Sequence, residues 1–144
     1  MKRLRGFAIV SAIFILVVLA ALGAFILNIS SSQQIGSALD VQGVRAYQAA
    51  RAGIEWGLFR QLQAGSCAAT ASFVPAGAAI SGFTVTVLCS ATPDPDGFGG
   101  PTVYSIVSTA CSEPVAGWTA TSVACPNTTN PGNLYIERSL TVTF

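Results

Sequence analysis

The chain has 144 residues, room for one small globular domain once its apolar N-terminal segment is set aside. Charged residues make up 9% of it, the formal net charge is +1, and no long run of like charge occurs, which excludes a nucleic-acid footprint. Histidine is absent, so the usual acid–base and metal-binding side chain is missing and no cofactor is expected.

The basic residues are unevenly placed. Lys2, Arg3 and Arg5 precede an uncharged run from Phe7 to Leu27. At about 1.5 Å rise per residue that run spans roughly the 30 Å hydrocarbon core of a bilayer. Lys and Arg ahead of the span predict a cytoplasmic N-terminus and an exported remainder.

No proline interrupts the chain from Asn28 to Gln63, so nothing obliges the helix to stop at the membrane surface. Val44, Tyr47, Arg51, Ile54, Leu58 and Leu62 recur at three- and four-residue steps, widened by Trp56 and Phe59, and predict an amphipathic continuation with that stripe facing a core. Gly36, Gly43, Gly53 and Gly57 each weaken a helix by up to about 1 kcal/mol relative to alanine and mark places for bends or close packing. Gly65 is placed to cap the helix. Glu55 is the one carboxylate on the amphipathic helix between Val44 and Leu62 and is expected to pair with Arg51 or with solvent.

Beyond Gly65 the period changes from 3.6 to 2. Phe83 to Ser90, Val103 to Cys111 and a C-terminal run extending from near Leu134 through Ser139 to Phe144 alternate apolar and polar residues, predicting three strands of a small antiparallel sheet. Its apolar face needs a cover, and the helix is the available one. The expected fold is therefore α+β, a long N-terminal helix packed by its second half on a small antiparallel sheet. The expected divisions are a basic leader at 1–6, a membrane-spanning half at 7–27, a periplasmic amphipathic half at 28–64 and a β-rich, disulfide-bearing part at 65–144.

Cys67, Cys89, Cys111 and Cys125 all fall in the exported part, where disulfides persist. Four cysteines allow three connectivities. Pairs 67–89 and 111–125 are favoured because each brackets a local segment, and each loop closure is worth roughly 3 kcal/mol in the chain-entropy model. A zinc site is disfavoured by the long spacings and the missing histidine. Thr92 to Pro101 and Cys125 to Asn133 carry turn chemistry. Asp94 and Asp96 hint at calcium, but the further oxygen ligands of a calcium loop are missing. Asn127-Thr128-Thr129 matches a glycosylation sequon, read as a plain loop in a periplasmic protein.

The informative element is Lys2-Arg3-Leu4-Arg5-Gly6-Phe7 followed by Ala8-Ile9-Val10-Ser11-Ala12-Ile13 and the rest of the apolar run. Here the sequence resembles type IV pilins and pseudopilins. Within that group it is most similar, over residues 5 to 60, to minor pilins of the mannose-sensitive haemagglutinin (MSHA) pilus. The match includes Gln48-Ala49-Ala50-Arg51-Ala52-Gly53-Ile54-Glu55-Trp56-Gly57. The resemblance implies cleavage after Gly6 by prepilin peptidase, with Phe7 as an N-methylated mature N-terminus. It also implies a pilin-like fold, a bacterial inner-membrane location with a periplasmic C-terminal part, later entry into the fibre or its tip, and other pilins and the pilus assembly machinery as partners. Most pilins carry a glutamate five residues into the mature chain, a position held here by Ser11. Serine cannot supply a carboxylate to a neighbour's terminal amine, which implies a low-copy or tip role. The bland alternative is a hydroxyl bonded back to its own helix carbonyls.

Two other readings compete for the N-terminus: a secretory signal cleaved near Gly23, and an uncleaved single-pass anchor holding a binding module. A type II secretion pseudopilin is a third. An enzyme is not expected, because no nucleophile and base constellation can be assembled from the spacing.

Overall fold

A computed structural model describes residues 5–94 and 100–144, the side chains of 5–8, 28, 31 and 32 excepted. The element order is α1 (Arg5–Ala64), β1 (Ala71–Phe73), β2 (Thr84–Thr92), β3 (Val103–Cys111) and β4 (Glu137–Thr143). The strands form one antiparallel sheet in the order β1-β2-β3-β4. This is the expected α+β arrangement, with two differences. Strand β1 is an addition, too short to show a period, and β4 starts at Glu137, not near Leu134.

The chain divides into two compact units, Met1–Leu39 and Asp40–Phe144, and α1 supplies residues to both. The buried face of α1 begins at about Gly43.

In the second unit the helix does not pack through the stripe expected from the sequence. Ala46, Ala49 and Ala50 are fully buried with Phe83, Val85, Val87, Ile106 and Ala110, and Gly43, Gly53 and Gly57 share their face. Val44, Phe59 and Leu62 are instead 61%, 63% and 70% exposed, and Tyr47 is exposed as well. Ile54, Trp56 and Leu58 pack at the margin of the core. The cause is distance of approach. A methyl group placed on Gly53 would stand 2.6 Å from Val85 Cγ1 and overlap Ser108 Oγ, and one on Gly57 would stand 3.0 Å from Ile106 Cγ2. Small side chains let the helix backbone lie almost on the sheet, so the sheet's own Val and Ile side chains fill the interface.

The helix ends as its sequence predicts. Gly65 takes a left-handed conformation (φ 59°), and its amide donates to the Gln61 carbonyl at 3.1 Å. The Cys67–Cys89 disulfide then ties the chain leaving the helix to β2, and Cys111–Cys125 ties the long β3–β4 connection to the end of β3. These are the two local pairs favoured above.

That connection covers the sheet face opposite the helix. Thr86 Oγ1, on that face, accepts from the amides of Ala124 (3.0 Å) and Cys125 (2.9 Å). Its own proton then goes to Ser72 Oγ at 2.8 Å, whose hydroxyl donates to the Ser122 carbonyl at 2.6 Å. Ser72 N donates to the Ala120 carbonyl, closing the outer edge of β1. The sheet is therefore lined on one face by helix and on part of the other by a disulfide-held loop, which is why Thr84 to Val87 are buried on both sides.

Candidate processing and assembly segment

The helical backbone begins at Arg5, so Gly6 and Phe7 lie in its first turn. Lys2, Arg3 and the rest of the leader up to Leu4 lie outside the described residues. From Ile9 to Leu27 the helix has a mean hydropathy of 3.0 and is uncovered on every side. Thirteen large apolar side chains in that stretch, from Ile9 through Phe14 and Leu16 to Leu27, are exposed. Leaving them in water instead of an apolar medium costs on the order of 20 kcal/mol, and the segment is long and apolar enough to cross a membrane. Its length and composition suit a membrane span or an export signal equally.

Ser11 is half-exposed within this stretch. Ala20, Gly23 and Ala24 form its small-residue side, and no atom stands within 4 Å of where a Gly23 methyl would be. Past Leu27 the helix carries Ser37, whose hydroxyl donates back to the Gln34 carbonyl at 3.0 Å. Glu55 pairs with Arg51 at 3.2 Å, both well exposed, one of the two fates expected for it. Exposed i,i+4 pairs of this kind contribute at most about 0.5 kcal/mol.

The remaining candidates belong to the second unit. All four cysteines are disulfide-bonded, and none is free. Asp94 accepts from the Gly100 amide at 2.9 Å, a loop-closing bond, while Asp96 lies outside the described residues. Among the described residues no group of three or more His, Cys, Asp or Glu side chains could hold a metal. Asn127, the sequon residue, is engaged: its amide nitrogen donates to the Glu113 carbonyl at 3.2 Å and its carbonyl accepts from Thr129 N.

Sequence reasoning missed the Ser72–Thr86–Ser122 hydroxyl chain and the network around Tyr135. Tyr135 Oη donates to Glu137 Oε2 at 2.6 Å and accepts from the Asn127 amide at 2.9 Å. Burial first, and then the hydrogen bond to Glu137, push its hydroxyl up to about 12. Both networks join residues distant along the chain, and nothing in local spacing marks them.

No family model, no curated protein and no solved structure matches this chain.

Proposed function

We propose that this chain is a minor, low-copy subunit of a type IV pilus of the MSHA kind, acting in pilus assembly or at the tip, and not an enzyme. In its N-terminal part it resembles the minor pilin MshP. The observation that carries the reading is the junction of a basic leader, Gly6 and Phe7 with a helix whose next nineteen residues are apolar and uncovered. That helix runs without a break into a segment packed on a disulfide-bearing sheet. Such an element is inserted with its N-terminus in the cytoplasm. Cleavage after Gly6 by prepilin peptidase frees it to leave the lipid only if other apolar helices replace the bilayer around it, which supports other pilins as partners. The small side at Ala20, Gly23 and Ala24 permits such close approach. Ser11 supports a low-copy or tip position, since an intramembrane carboxylate is costly until paired and would draw neighbours in, whereas a hydroxyl is not.

Mass spectrometry of the protein purified from membranes tests the proposal. A mature chain starting at N-methylated Phe7 is expected. A start at Met1, Ala24 or Phe25 would replace this reading with an uncleaved anchor or a secretory signal. Presence in sheared pili separates a fibre or tip subunit from one retained in the membrane.

A further inference from the structure

The two outer edges of the sheet are treated differently. The β1 edge is closed by the Ala120 carbonyl on Ser72 N. At the other edge, Tyr104 and Phe144 exchange both backbone hydrogen bonds (2.9 and 3.0 Å), which fixes the phase of the β3–β4 ladder. Arg138, Leu140 and Val142 then point their backbone groups at β3, and Glu137, Ser139, Thr141 and Thr143 point theirs away. The Glu137 carbonyl is already taken by Arg138 Nη1 at 2.9 Å. The open window is therefore Ser139, Thr141 and Thr143, with no proline, glycine or charge among residues 139–143 to guard it.

That window is symmetric about Thr141. We propose that two copies of this chain pair β4 with β4, antiparallel, about a two-fold axis at Thr141. Ser139 then faces the partner copy's Thr143 and Thr141 faces its own counterpart, giving six backbone hydrogen bonds. Leu140 meets Val142 on the helix side of the joined sheet, both being half-buried at present. Arg138 comes opposite the second copy's Phe144, which is 40% exposed, its inner face stacked on Tyr104 at 5.7 Å. Beside Arg138 lies an open cleft lined by Asp40, Gly43, Val44, Tyr47 and Arg138. It offers the incoming ring an aliphatic wall, an aromatic neighbour and a guanidinium. Two identical clefts and two identical rings make the contact self-complementary, as a two-fold interface requires.

The pairing also fixes direction. Along α1, Gly43 stands by Arg138, Gly53 by Ser108 and Gly57 by Ile106, and those levels correspond to Arg138, Leu140 and Val142 of β4. The 40–64 stretch of the helix thus runs with β4, and in the pair the two such stretches run in opposite directions. A pairing limited to five residues and one ring per side makes a weak, concentration-dependent dimer.

Sedimentation of the full chain in detergent micelles tests the proposal. A concentration-dependent dimer is expected. Thr141→Lys and Thr141→Glu should each lower dimer affinity at least tenfold by placing like charges face to face, and an equimolar mixture of the two should restore it. Phe144→Ser should also weaken the dimer while circular dichroism shows the fold retained. A wild-type chain that stays monomeric, or a dimer indifferent to the charge at Thr141, overturns it. Neither cleavage after Gly6 nor entry into pili affects this measurement, so its failure leaves the assembly reading standing.

Discussion

At the scale of single residues, the glycines of α1 separate into two kinds. Gly53 is where the helix backbone comes nearest the sheet, and Gly57 is only tight. Alanine at either gains about 1 kcal/mol of helix propensity, but overpacking costs about 1–3 kcal/mol. Gly53→Ala should therefore destabilise the protein by about 1–2 kcal/mol, while Gly57→Ala should fall within about 1 kcal/mol of the parent in urea titrations. Thr86 is a second such point. Its hydroxyl is the acceptor for two buried amides. Thr86→Val keeps the shape and strands both donors, with an expected loss of about 2–4 kcal/mol. Tyr135 sets an alkaline limit. Its hydroxyl rises from 10.0 unfolded to about 12 folded, so the folded state holds the proton longer. The stability it contributes is complete below pH 10 and declines between about pH 10 and 12. Thermal melts across that range should show a decline that Tyr135→Phe lessens, and the phenolate absorbance that Tyr135→Phe removes should be the part that appears late in the titration.

At the scale of elements, the two disulfides do different work. Cys67–Cys89 closes a connection that few other bonds hold. Cys111–Cys125 lies beside the Thr86, Ser72 and Val115 hydrogen bonds that pin the same loop. Removing either bridge is worth roughly 3 kcal/mol in the chain-entropy model. The double variant Cys111→Ala and Cys125→Ala should nonetheless keep its loop in place under native conditions, read as unchanged hydrogen exchange at the Ala124 amide. The variant Cys67→Ala and Cys89→Ala should raise exchange over Ser66 to Thr70. The helix itself carries the contrast between legible and hidden features. Its extent and its Gly65 terminus follow from local rules of proline absence and left-handed capping. Its buried face does not, because a period search ranks large apolar residues above alanine and glycine. Here the large residues of the partner sheet made small ones the better fit.

At the scale of the whole molecule, the decisive prediction concerns processing. Gly6 replaced by a bulky residue should leave an uncleaved, membrane-retained precursor in a strain with active prepilin peptidase, seen as a slower-migrating band. Normal processing of that variant would count against the assembly reading. The sequence by itself determined the apolar span, the change of period at Gly65 and three of the four strands, since each depends on neighbours within a few turns or one loop; it favoured the local cysteine pairs among three connectivities, and the structure selected them. Only the tertiary structure decided which helix face meets the sheet, what covers the opposite sheet face and which edge stays open. Those outcomes depend on how closely backbones approach and on which distant hydroxyls and carbonyls meet, and no periodicity along one chain records either.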